Sequence, residues 1–193
     1  SCPDWDGAGL LSHVTRVWHM LAIICEDGRD TFPGRDDFPP RPAEGDEVAG
    51  ATEALDRVIA AMSALEPGAA MWSWGTTQSS DYFFRRLHLE NLVHRVDAEQ
   101  MAGLESEVDS DEGMDGVSER FEEFVHRKPE RPSGSFHLHR TDGPGEWTAK
   151  VEGDELVVTQ EHAKGDAAAK GSGAELLLAM WGRTSVDTLE TFG

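Results

Sequence analysis

A single change of hydrophobic period, near residue 130, divides this chain into two kinds of structure. Ahead of it apolar residues recur at three- and four-residue steps, the period of a helix with one buried face. Leu10, Leu11, Val14, Val17, Trp18, Leu21 and Ile24 predict a helix over 7–25, with Asp6 as its cap. Leu55, Val58, Ile59, Met62 and Leu65 predict a second over 46–65, stopped by Glu66-Pro67-Gly68. A third, over 79–101, sets Phe83, Leu87, Glu90, His94 and Met101 along one stripe. A weaker pattern over 116–127 carries Val117, Phe121, Phe124 and Val125. Beyond Pro132 the period becomes that of a strand. Phe136-His137-Leu138-His139 and Trp147-Thr148-Ala149-Lys150-Val151 alternate, and Glu152-Gly153-Asp154 turns into Leu156-Val157-Val158-Thr159 as a hairpin. A short apolar helix follows over 173–182. The expected fold class is α+β: a helical bundle over 1–130, a linker in Lys128-Pro129-Glu130-Arg131-Pro132-Ser133-Gly134, and a small α+β domain over 134–193.

Two connections stand out. Residues 26–45 are rich in Asp, Arg and Pro, and too long for an ordinary link between packed helices, so they read as a covering loop or a lid. Trp72 and Trp74 lie in a short loop, where they either line a pocket or join the aromatic core.

Charge narrows the function. The 37 acidic against 17 basic residues leave a net charge of −20, which repels a phosphate backbone and argues against nucleic-acid binding. An anionic ligand would need a local Arg or a metal to meet it. No uninterrupted apolar run reaches the roughly 20 residues of a bilayer span, and Ser1-Cys2-Pro3-Asp4-Trp5 has neither the basic start nor the apolar stretch of a signal peptide. No membrane partner and a cytoplasmic location are therefore expected. With no initiator Met, and an abrupt Thr191-Phe192-Gly193 end, both termini admit truncation. The two cysteines, Cys2 and Cys25, form no CxxC pair. Cys25 follows Ala22, Ile23 and Ile24 in an apolar helical pattern and reads as a buried, inert thiol, so thiol chemistry would need a thiol from outside.

Glu90 and His94 are four apart on one helix, so their side chains point the same way one turn apart. That spacing serves two metal ligands, and equally a hydrogen-bonded structural pair. His13 lies beside the stripe of Val17, Met20 and Ile24 and can also face a bundle interior, where metal sites are built from inward side chains of facing helices. Two His and one Glu are the ligands of several catalytic zinc sites with an open fourth position. Asp97, three residues past His94, is either a partner for its imidazole or an exposed carboxylate. His137 and His139 project to one face of a strand, as a second metal site or a structural pair in the domain interface; His162 before Lys164 and Asp166 reads as a structural hydrogen-bonding residue.

Cys2-Pro3-Asp4-Trp5-Asp6 with Leu10-Leu11-Ser12-His13-Val14, and the helix from Arg86 through Glu90 and His94-Arg95-Val96-Asp97-Ala98-Glu99, resemble the mycothiol-dependent maleylpyruvate isomerase family. So do His137-Leu138-His139-Arg140-Thr141-Asp142 with Gly145-Glu146-Trp147, His162-Ala163-Lys164-Gly165-Asp166, and Leu176-Leu177-Leu178 with Trp181-Gly182-Arg183. The matches run in order along nearly the whole chain. The resemblance implies a DinB-like four-helix bundle, whose first helix would precede Ser1, followed by a small α+β domain. It implies His13, Glu90 and His94 as ligands of a divalent metal, zinc being usual, and Arg183 facing the active site. Arg183 read alone is a surface residue capping the last helix. The implied partners are a small-molecule substrate and mycothiol as thiol co-substrate. In the implied reaction a metal-held thiolate adds to the double bond of maleylpyruvate, the new single bond rotates, and elimination gives fumarylpyruvate. Val96 where the family often has Trp, and Asp4 where it often has Gly, leave the substrate open. The expected function is a metal-dependent, mycothiol-using isomerase or S-transferase. The alternatives are a non-catalytic binding member of the fold and a metal-dependent hydrolase of a thiol conjugate, against which stands the lack of an HExxH-like base.

Overall fold

In the computed structural model residues 5–124, 133–153 and 155–193 are described. Expectations for Cys2 to Asp4, for the end of the fourth helical pattern at Val125 to Arg127, for the linker from Lys128 to Pro132, and for Asp154 of the hairpin turn lie outside them. The chain divides into two compact units, Cys2–Leu104 and Glu105–Gly193. The first is helical and the second carries a mixed sheet, an α+β protein as the change of period predicts.

The helical unit is built on α1 (Gly7–Asp27), α2 (Glu47–Ser63) and α3 (Ser80–Met101). α1 begins at Asp6, whose carboxylate accepts from the Gly9 N–H at 2.8 Å, and ends at Gly28 in the left-handed conformation (φ 60°) that favours glycine. Leu21, Ala22, Ile24 and Cys25 of α1 pack with Val58, Ala61 and Met62 of α2 and Tyr82 and Phe83 of α3. Leu21, Ile24, Val58 and Phe83 are fully buried, each contributing about 1.5–3 kcal/mol of hydrophobic stabilisation. This packing bears on the membrane expectation. α1 is long and apolar enough to cross a bilayer by length and composition, yet it serves here as the central core helix of its unit. Trp72 and Trp74 are partly buried against the same core, with Phe32 from the 26–45 segment 5.3 Å from both rings. That segment folds into one 3-10 turn, Arg35–Asp37, held by Arg29 on Asp37 at 2.6 Å. Met101, predicted on the inward stripe of α3, is exposed in its last turn.

The fourth helix belongs to the other unit. α4 (Ser110–Glu119) starts at Asp109, whose side chain accepts from the N–H groups of Asp111 and Glu112, and it runs into a π-helical turn, Arg120–Phe124. The expected boundary near residue 130 therefore falls earlier, at 104/105. The reason is packing: α4 meets α5 (Gly173–Met180) so closely that a Cβ on Gly173 would lie 2.1 Å from the Ser110 carbonyl oxygen, and one on Gly113 2.5 Å from Gly173.

The sheet comprises β1 (Ser135–Arg140), β2 (Glu146–Glu152), β3 (Glu155–Thr159), β4 (Ala167–Gly171) and β5 (Glu190–Phe192), in the order β3-β2-β1-β4-β5. β1 and β4 are parallel and the other pairs antiparallel. Phe121 of the π turn packs its ring 5.8 Å from Phe136 and 6.4 Å from Trp147, so one face of β1 and β2 is covered by helix. Arg140, at the end of β1, pairs with Asp111 of α4 and with Asp142. The hairpin was legible, whereas β4 and β5 were not. Ala167-Ala168-Ala169-Lys170-Gly171 lacks both the alternation and the branched side chains that mark a strand, and is held by its pairing with β1.

Candidate metal centre

α1 and α3 are locked in register beside the site by one cross-link, Trp18 Nε1 donating to Asn91 Oδ1 at 2.9 Å. Five residues before Trp18 on α1 sits His13; on α3 Glu90 precedes Asn91 directly and His94 follows it by three. The three sequence-predicted ligands converge. Glu90 Oε1 is 3.3 Å from His13 Nε2 and 3.1 Å from His94 Nε2. His94 is nine-tenths buried, while Glu90 and His13 are partly open, with side chains 22% and 32% exposed.

The surroundings commit each group. Arg86, buried in α3, donates to Glu90 Oε2 at 2.8 Å, leaving Oε1 to the histidines. Burial alone would raise the Glu90 pKa, but hydrogen bonds from His13 and His94 and the nearby Arg86 charge overcome it. The carboxyl is held well below the usual range and is ionised. Asp97, fully buried, lies 2.9 Å from His94 Nδ1. Burial lowers the His94 pKa, and Glu90 and Asp97 together raise it further than burial lowers it. With Nδ1–H donated to Asp97, a neutral His94 turns a lone pair on Nε2 toward an ionised oxygen. Two lone pairs at that distance repel unless a proton or a cation sits between them.

The donor set suits a metal ion on the same geometry. Ligands about 2.0–2.1 Å from a tetrahedral zinc stand about 3.3 Å apart, which matches the two N···O separations. Three protein donors of this kind leave a fourth position for a small molecule. The indole of Trp5 lies over the site, 4.6 Å from the His13 ring and 6.2 Å from that of His94. An apolar cavity of about 660 Å³ opens beside His94, walled by Leu10, Leu11, Val14, Trp18 and Met101, a size that takes a small organic ligand.

Of the two readings that spacing left for Asp97, the buried partner of His94 is the one found; Arg86 was missed, although it stands four residues before Glu90, where helix pairs form. Nothing in the local pattern signalled Trp5. Cys25 is free and buried, and burial with the Glu26 charge pushes its thiol up to about 12, so it is no nucleophile. Arg183 is in the sheet unit, at the end of α5, where Nη1 donates to the Trp181 carbonyl at 2.7 Å. That is the helix-capping role available to it from sequence alone.

No curated protein and no solved structure matches the chain. Two family models do, in tandem. Residues 1–99 match the mycothiol maleylpyruvate isomerase N-terminal domain, which takes in His13, Glu90, His94 and Asp97. Residues 114–193 match the C-terminal domain of the same family, which takes in the sheet, α5 and Arg183. With both domains matched in order over most of its length, the chain belongs to the mycothiol maleylpyruvate isomerase family.

Proposed function

We propose that the protein is a metal-dependent enzyme that uses a low-molecular-weight thiol of the mycothiol type, as an isomerase or S-transferase acting on a small conjugated acid. The observation that carries this reading is the convergence of His13 Nε2, Glu90 Oε1 and His94 Nε2 around one point, with His94 oriented from behind by Asp97. His13, Glu90 and His94 would hold the divalent ion, zinc by donor type. When bound, such an ion supplies a thiolate at neutral pH from a thiol whose free pKa is about 8.5. The chain's own residues do the rest. Arg86 keeps the second oxygen of Glu90 occupied, so Glu90 serves as a ligand and not as a proton acceptor for water, which favours thiol chemistry over hydrolysis. The apolar wall of the cavity beside His94 offers a surface for the carbon chain of the substrate. The family resemblance makes Arg183 the candidate donor for a substrate carboxylate, to which a guanidinium can bind through two N–H groups. A reducing cytoplasm, where such thiols are kept free, suits this chemistry.

The test is thiol-dependent cis–trans isomerisation of maleylpyruvate by the full chain, run beside metal analysis. Activity should require both the ion and mycothiol, and Arg183→Ala should lower turnover while leaving metal content unchanged. Metal-loaded protein that ignores mycothiol in both turnover and ligand binding would replace this reading with that of a binding member of the fold.

A further inference from the structure

The sheet unit contains a second convergence that the first site does not need. His137 and His139 point to the same face of β1, the one turned away from Phe121. Glu146 of β2 is the direct cross-strand partner of His139. Its Oε2 contacts His137 Nε2 and its Oε1 lies 2.5 Å from His139 Nδ1. His162, beyond the end of β3, brings Nδ1 to 3.2 Å from the same Oε1. One donor atom from each of the four residues lies within 4.8 Å of every other.

His162 is exposed, but the segment that carries it is pinned on both sides. Thr148 Oγ1 donates to the Glu161 carbonyl at 2.9 Å. Asp166 Oδ2 accepts from both the N–H and the hydroxyl of Ser135, at 2.8 and 2.9 Å. Between them Gly165 passes so close to β1 that a Cβ there would stand 2.9 Å from Phe136 Cα and 3.0 Å from His137 N. The imidazole is therefore delivered to the cluster by an ordered segment.

The donor types then suit a cation. Three imidazoles gather round a single carboxylate, one of them nine-tenths buried. One negative charge balances one imidazolium. The two Glu146 oxygens offer about four lone-pair sites and can take three inward N–H groups, but any ring that turns a lone pair inward faces an ionised oxygen, a repulsion that a cation relieves. Two strand lysines are engaged elsewhere: Lys170, opposite His139 on β4, lays its Nζ over the Phe192 ring at 4.8 Å, and Lys150 of β2 pairs with Glu152 at 3.0 Å. A metal ion among the four donors accepts every inward lone pair at once. The ring centroids lie 4.9, 6.2 and 6.3 Å apart, so the three rings gather round one centre.

We propose that His137, His139, Glu146 and His162 form a second, structural site for a divalent transition metal of the zinc type, stapling β1, β2 and the segment after β3. Three imidazoles select such ions over magnesium or calcium, which prefer oxygen ligands. Four protein donors close the coordination sphere, as structural zinc sites do, so this site holds the sheet together and takes no substrate.

The experiment is zinc titration of the chelator-stripped full chain, followed by metal analysis after gel filtration, with magnesium as the control ion. Wild type should retain two zinc ions per chain and no magnesium. His139→Ala should retain one, and His162→Ala, at an exposed position that the fold tolerates, should bind its second zinc at least about tenfold more weakly. His94→Ala should also retain one, and His94→Ala with His139→Ala none. That crossing separates the two sites, because a failed helical site leaves the His139-dependent ion in place. A wild type that holds one zinc lost in His94→Ala overturns the proposal, as does one that holds none, or an unchanged second zinc in both His139→Ala and His162→Ala.

Discussion

The two units arrange the same chemistry by opposite means. In the helical unit the candidate ligands come from two helices: i and i+4 on α3, and one residue of α1 held opposite by the Trp18–Asn91 hydrogen bond. In the sheet unit they come from i and i+2 on β1, a directly paired residue on β2, and a pinned segment after β3. Helical spacing places two ligands and leaves the third to packing, so three donors with an open side result. Two paired inner strands and the segment after β3 bring neighbours together and gather four. The number of donors follows from the scaffold, and with it the proposed division into an open, reactive site in one unit and a closed, structural one in the other.

This contrast breaks most visibly at His94. His94→Ala should abolish thiol-dependent turnover and release the ion of the helical unit while the sheet unit keeps its own; full turnover in that metal-free variant would dissolve the distinction between the sites. Asp97→Asn keeps all three donors but replaces the carboxylate that orients His94. Zinc affinity of the helical unit should fall about 10–100-fold, as read by competition with a chelating dye, and unchanged affinity would reduce Asp97 to a packing residue. Gly173→Ala sharpens the comparison from the other side. It forces a methyl against the Ser110 carbonyl and should cost the sheet unit about 1–3 kcal/mol in denaturant unfolding, with zinc affinity at His94 unaltered. The smallest effect belongs to Arg57 on Glu26, which ties α2 to α1 at 2.6 Å. The hydrogen bond from Arg57 lowers the Glu26 pKa, so the pair's contribution is present above the unfolded pKa, about 4.3, and is lost as pH falls through the lower folded value. Arg57→Ala should cost less than about 1 kcal/mol at pH 7 and nothing once Glu26 is protonated, a difference that unfolding curves at the two pH values measure.

Sequence carried the helical unit further than the sheet unit for a physical reason. In α3 side-chain direction follows from position along one helix, so Glu90 and His94 could be set on one face by spacing alone, whereas His13 as third ligand rested on the resemblance and Asp97 stayed open between a partner of His94 and an exposed carboxylate. The cluster in the sheet depends on the strand register that sets Glu146 against His139, and on a segment folded back over β1. Neither is written in local periodicity, and so His162 read as a lone hydrogen-bonding residue. The start of α4 was misplaced by six residues for a similar reason: Ser110 to Asp115 is too polar to show a helical stripe, and what fixes it is the cap at Asp109 and the close approach of Gly173. The fold class and the order of the domains were plain from the period change; the boundary, set by which helix packs on which, was not.

The burial of Cys25 has a chemical consequence for a protein proposed to work among small thiols. Thiol–disulfide exchange proceeds through the thiolate, and a thiol with a pKa of about 12 is ionised at neutral pH in only about one molecule in 10⁵. When oxidative stress converts the soluble thiol pool to disulfides, position 25 is both shielded and chemically silent. On the proposed function, Cys25 would resist capture by the oxidised form of the co-substrate.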